Sequence, residues 1–175
     1  MKNTSKITVF SAILLILAGG ITSCKDKDLS PIVEPMFTWE ILTVVEEGKL
    51  EGSKWKLVGI VDVEIGDLKE LEPKDCESCY TLAFDNSIPY CNEDDLKSFS
   101  VRSSTNDLGG CFVIDYTAQR FHVYSFGGTK ISEVGDGSLF HNVFRNIQSF
   151  FLQENELRLY YNNKQNYLLF KQIEP

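Results

Sequence analysis

Cys111-Phe112-Val113-Ile114-Asp115-Tyr116, a turn near Thr117–Gln119, and Arg120-Phe121-His122-Val123-Tyr124-Ser125-Phe126 decide the fold class. Two runs of β-branched and aromatic residues separated by a short polar turn make an antiparallel hairpin. Gly109-Gly110 opens it. Its phenylalanines and tyrosines are placed to form a cross-strand aromatic ladder.

The same period-two signal continues on both sides. Trp55 to Val63 reads as a strand with Trp55, Leu57, Gly59, Val61 and Val63 on one side. Tyr80 to Asp85 alternates strictly, with Tyr80, Leu82 and Phe84 on one face, and Leu96 to Val101 is a further strand. Downstream, 149–152 and 156–161 pair around Gln153-Glu154-Asn155, and a turn at Asn162–Gln165 leads to a last strand over 166–171. One helix interrupts this order. Leu139, Phe140, Val143, Phe144 and Ile147 form an apolar stripe at helical period over Ser138–Ile147, with Ser138 or Asp136 as its cap. Seven or eight antiparallel strands must hide one apolar face. The expectation is therefore a mainly β chain, a single small antiparallel barrel or closed sheet with one late helix.

The amino terminus carries an address. Lys2 and Lys6 precede an apolar run from Ile7 to Ala18, which is too short for a permanent membrane span and has the form of a secretory signal. Ile21-Thr22-Ser23-Cys24 resembles the bacterial lipobox. The resemblance implies cleavage before Cys24 and acylation of that cysteine, placing the protein on the outer membrane of a Gram-negative cell; the alternative is an ordinary signal peptide. Lys25-Asp26-Lys27-Asp28 is similar to the charged export signal of Bacteroidetes surface lipoproteins. The expected layout is a signal over 1–23, a lipidated cysteine and tether over 24–50, and a β-domain over 51–175. Trp39–Val45 is a candidate first strand or packing arm within the tether.

Without the signal, 15 Lys and Arg stand against 25 Asp and Glu, a net charge of −10. That balance argues against a nucleic-acid surface and against adhesion to anionic lipid by the domain itself. The partners expected are the membrane, through Cys24, and an envelope protein.

From Gly52 to Lys171 the order of elements resembles the META domain, a small periplasmic β-fold found in lipoproteins. Gly52-Ser53-Lys54-Trp55-Lys56-Leu57 matches its opening Gly-x-x-Trp-x-Leu strand, Tyr80–Phe84 its second strand, and Ser104-Thr105-Asn106 its Ser/Gly/Asn turn. Gly110-Cys111-Phe112 stands where that family has Gly-Cys-Asn. The chain is also similar to the lipocalin-like barrels of Bacteroidetes lipoproteins. Neither resemblance implies catalytic residues.

Four cysteines follow the lipid site: Cys76, Cys79, Cys91 and Cys111. An even number in an exported chain points to disulfides, with three connectivities open. Cys76-Glu77-Ser78-Cys79 invites a redox or zinc reading, but its surroundings read as loop-to-strand, and Cys91 and Cys111 lack a second knuckle spacing. His122 and His141 are the only histidines, which excludes a three-histidine metal site; His122 is read as a wall or surface residue and His141 as exposed. No G-x-S-x-G elbow and no complete P-loop occur. Glu93-Asp94-Asp95 is read as a solvated acidic loop. No cofactor, metal or catalytic residue is expected. The leading expectation is a non-enzymatic binding or assembly module. A lipocalin-like carrier, its cavity lined by Phe112, Phe121 and Tyr124, is the alternative, and a small hydrolase ranks below both.

Overall fold

A computed structural model describes residues 50–85, 91 and 95–173. The signal segment, Cys24, the tether with Trp39–Val45, and Glu93-Asp94 lie outside the described residues.

Chain entry explains the Gly-x-x-Trp-x-Leu pattern. Gly52 turns the backbone at a positive φ of 71° and donates its N–H to the Phe84 carbonyl at 2.7 Å. Ser53 Oγ then donates to the Leu50 carbonyl at 2.5 Å and accepts the indole N–H of Trp55 at 2.7 Å. The largest side chain of the strand is thereby buried, at 1% exposure, with its one polar atom satisfied.

Nine strands follow: β1 (Lys54–Asp62), β2 (Leu68–Lys69), β3 (Thr81–Ala83), β4 (Lys97–Arg102), β5 (Asp107–Asp115), β6 (Arg120–Gly128), β7 (Ser149–Gln153), β8 (Glu156–Tyr161) and β9 (Asn166–Ile173). Helix α1 (Gly137–Arg145) lies between β6 and β7. Every pairing is antiparallel, and β9 returns to β1, so β1 and β3–β9 close an eight-stranded barrel. The two-residue β2 is an addition on β1, where Ile60 faces Lys69 and Val61 faces Leu68. Closure pairs every barrel strand with a neighbour on each side, although β6 meets β7 at a single register pair.

Aromatic rings fill the inside. Phe84, Phe99, Phe112, Phe121, Phe140, Phe144, Phe150 and Phe170 are all buried to 2% exposure or less. The seam between β6 and β7 is narrow, with Arg120 opposite Ser149. Helix α1 turns its buried face of Phe140, Val143 and Phe144 toward Tyr80, Phe99 and Phe126. Phe144 meets Phe99 at 5.3 Å and Phe126 at 5.4 Å, and Phe140 meets Tyr80 at 5.2 Å.

Several local expectations change. The helix ends at Arg145, with Asn146 as its cap residue, while Ile147 stays buried beyond it. Asp136 holds the N-cap position without capping, because its carboxylate accepts from the Glu72 N–H and Lys69 Nζ, each at 3.0 Å. A bulge between Leu57 and Gly59 shifts the faces of β1: Ile60 joins the main core cluster, and Val61 is buried outside it, opposite Leu68 of β2. Gly109 and Gly110 lie within β5 rather than at its start, and of the aromatic ladder expected along the β5–β6 hairpin one diagonal pair forms, Phe112 with Phe121, without the tyrosines. There, Phe112 faces Val123 and Ile114 faces Phe121.

Candidate functional site

The outer face of β3–β6 is built from small side chains. Strand register places Lys54, Ala83, Ser100, Gly109 and Gly127 opposite one another in one row across five strands. Beside it runs a second row of Ser98, Cys111 and Ser125. Each of these positions alternates with a core residue such as Phe99, Val101 or Phe112, so the rows point away from the packed interior. The absence of long side chains leaves a cleft of about 650 Å³ lined by Ser100, Asp107–Gly110 and Ser125–Gly128. A second hollow of about 340 Å³, reaching from Ser100 and Leu108 to Thr81, Ala83, Lys54 and Ile173, continues it. We call the pair the outer trough.

Two glycines of the trough have opposite roles. A Cβ on Gly110 would stand 1.9 Å from the Ser125 carbonyl oxygen, so only glycine permits the strands to approach there. A Cβ on Gly127 would meet nothing within 4 Å and would enter the open cleft.

A polar knot fixes one end of the trough. The turn Ser103–Asn106 is almost fully buried at Ser103 and Asn106, which are 0% and 3% exposed. Glu133, from the segment between β6 and α1, accepts hydrogen bonds from Ser103 Oγ at 2.6 Å, Ser104 Oγ at 2.7 Å, Asn106 Nδ2 at 2.7 Å and the Thr105 N–H at 3.2 Å. Burial pushes the Glu133 carboxyl up, and these four donors outweigh it, holding the group below the ordinary glutamate range. Asn106 Oδ1 in turn accepts from Thr129 Oγ1 and the Ile131 N–H, and Thr129 Oγ1 accepts the Asp107 N–H at 3.0 Å. The rim is closed by the Arg102–Asp107 ion pair at 3.3 Å.

Phe112 and Phe121 are core residues that stack on each other, centroids 4.8 Å apart and planes 14° from parallel. Tyr124 is 61% exposed. It is the extra residue at the β5–β6 bulge, where Cys111 faces Ser125 and Phe112 faces Val123, so it does not share the interior with the two phenylalanines. The three do not line one cavity. Phe126 takes the inward place instead, and His141 stacks on it at 4.8 Å rather than standing free. Burial, then the Arg145 charge, holds the His141 pKa below its usual value. His122 is exposed on β6.

Cys76 is bonded to Cys79 and Cys91 to Cys111. The second bridge ties residue 91, in the connection between β3 and β4, to the outer row at Cys111. Among the described residues, no three His, Cys, Asp or Glu side chains converge as a metal site. Ser100, Ser125 and Asp107 line the trough, which offers hydrogen-bonding groups and contact area. Sequence reasoning missed it because small residues at alternate positions carry no hydrophobic period; the register alone aligns them.

No family model matches the chain. It is 29% identical over 170 residues to a Tannerella forsythia protein named "Putative lipoprotein", covering 97% of this chain and 98% of that one. Its fold is similar to an NMR structure of a Burkholderia xenovorans protein, with a TM-score of 0.55, 18% identity, and coverage of 72% of this chain and 85% of that one. It is also similar to a crystal structure of a DUF4847 family protein from Bacteroides vulgatus, with a TM-score of 0.53, 15% identity, and coverage of 70% and 94%.

Proposed function

We propose that this protein is a lipid-anchored, non-enzymatic binding module of the cell envelope, and that its outer trough receives an extended polypeptide segment of an envelope partner. One observation carries the reading: the barrel is filled by its own rings, while the open space lies outside, on a face whose side chains were kept small. A carrier would need that space inside. The anchoring part rests on Ile21–Cys24 with the apolar run before it, and is supported by the name of the Tannerella relative, which spans nearly the whole chain. The outer membrane is the leaflet we assign, and Cys24 the acylated residue. The META-like and lipocalin-like descriptions belong to the same reading, as names for a barrel of this order.

The class of partner follows from the lining. The row from Ala83 to Gly127 crosses four strands, about 15 Å at ~4.8 Å per strand, which matches four or five residues of extended chain. Glycine and serine leave main-chain atoms accessible, Leu108 gives an apolar floor, and the Arg102–Asp107 pair sits at the end. A photo-crosslinking amino acid at position 127, which has room for it, tests this in cells. A discrete, protease-sensitive adduct, absent when the cross-linker sits at Arg120 and lost with Ser100→Trp, supports the reading. An adduct that resists protease, or none above the Arg120 control, sinks it. Turnover of a substrate that survives purification and vanishes on changing one polar residue sinks the non-enzymatic part.

A further inference from the structure

The Cys76–Cys79 loop is held by more than its bridge. Lys56, on β1 opposite Thr81, sends its ammonium into the loop and donates to the carbonyls of Cys76 at 2.8 Å, Glu77 at 3.1 Å and Cys79 at 2.5 Å. Burial, partly offset by Glu77, lowers the Lys56 pKa, the mark of a cation brought partly out of water to do this. The Tyr80 hydroxyl donates to the Glu72 carbonyl, the Tyr80 N–H to the Ser103 carbonyl at 3.4 Å, and Asp136 accepts the Glu72 N–H at 3.0 Å. Lys56 thus holds the backbone of the loop itself, and the flanking Glu72 and Tyr80 are held by three further hydrogen bonds, none of which uses the sulfur–sulfur bond. A bridge between residues three apart removes little chain entropy from the unfolded state, whereas Cys91–Cys111 spans twenty. Stability is a poor account of the first bridge.

The two sulfurs of that bridge are unequal. Cys79 is buried, at 2% exposure, and its Sγ lies 3.4 Å from the Ser104 carbonyl oxygen, an acceptor that only a protonated thiol can use. Cys76 is partly exposed, with Sγ 3.7 Å from Ser78 Oγ. The Lys56 ammonium, bound to the carbonyls of both cysteines, favours negative charge developing on sulfur as the bond opens.

We propose that Cys76–Cys79 is a reversible thiol–disulfide exchange site for a dithiol co-substrate, with Cys76 the attacked sulfur. The dithiol's thiolate attacks Cys76 Sγ, the sulfur–sulfur bond breaks, and Cys79 leaves as a thiolate that takes up a proton from solvent and, as a thiol, donates a hydrogen bond to the Ser104 carbonyl. The second thiol of the reagent then attacks the mixed disulfide and releases Cys76. Two electrons and two protons pass to the protein, and the reagent ends as a disulfide. The fold is unchanged because Lys56 and Tyr80 keep the loop in place.

The test is a titration of the full-length protein with dithiothreitol, followed by acid quench, alkylation and peptide mass mapping, with circular dichroism recorded in parallel. Cys76 and Cys79 are expected to become alkylated at reductant concentrations about tenfold below those that open Cys91–Cys111, with the dichroism unchanged. Glutathione disulfide should reform the bridge. In the Cys79→Ser protein, glutathione is expected on Cys76; in the Cys76→Ser protein, Cys79 should be captured about tenfold more slowly. Opening of both bridges together, opening only with loss of the dichroism signal, or faster capture of Cys79 overturns the proposal.

Discussion

The outside of the barrel is finished in two ways. On β7–β9 the sheet is covered by its own long side chains: the Arg158 guanidinium lies 5.4 Å from the rings of both Phe151 and Tyr167, and Glu156 holds Arg158 and Lys171, each at 2.7 Å. On β3–β6 the equivalent positions are Ala83, Ser100, Gly109 and Gly127, which cover almost nothing. Both halves rest on one filled core and share the same pleat, so the backbone does not dictate the difference. The side chains do, and a bare strip on an otherwise self-covered barrel is where a partner has room.

The largest effect should come from the floor common to both halves. Phe121→Ala removes a ring that is 0% exposed and stacked on Phe112, and is expected to cost about 3–5 kcal/mol in a denaturant melt. Tyr124→Ala on the same strand should cost under about 0.5 kcal/mol, as is usual for exposed positions. Similar losses at the two sites would mean that the ring stack is not the interior.

Next in size is the knot that sets the end of the trough. Glu133→Gln turns an acceptor of four hydrogen bonds into a group that must also place two donors, at a cost of about 1–3 kcal/mol at neutral pH. Because the folded Glu133 carboxyl titrates below its unfolded value, its contribution is complete above the ordinary glutamate range and is lost as pH falls through the folded pKa. The gap between the two proteins should therefore close on acidification from about pH 4 downward. A gap independent of pH would show that Glu133 acts through shape rather than charge. On the covered half, Arg158→Ala should cost only about 1 kcal/mol, since the guanidinium remains partly solvated.

Much of this fold was legible because inward residues keep a period. Trp55, Leu82, Phe99, Phe121 and Phe170 announce strands, and Phe140 with Phe144 announces the helix. Failures cluster where one residue breaks the period. The bulge after Leu57 shifts the faces of β1, and the bulge at Tyr124 moves that ring outward and Phe126 inward. The two-residue β2 is too short to carry any period. Gly109-Gly110 reads as the opening of the hairpin, yet Gly110 lies inside β5 and serves a close approach of strands that only the pairing reveals. The trough escapes notice for the same reason: its residues are adjacent across strands and distant along the chain.

The smallest predicted effect says most about what the bare half is for. Gly127 lies in β6 without a positive φ, and a methyl group there would touch nothing. Glycine at such a place costs conformational entropy that alanine would not, so Gly127→Ala should raise stability by about 0.5 kcal/mol. Gly110→Ala, by contrast, must displace the Ser125 carbonyl and should lose about 1–3 kcal/mol. Thermal melts of the two variants separate two causes of a small-residue surface. If both are destabilised, the trough is a by-product of how closely β5 and β6 pack. If Gly127→Ala alone is stabilised, the chain carries a glycine that its fold would be better without, and the reason has to be sought in what approaches β6 from outside.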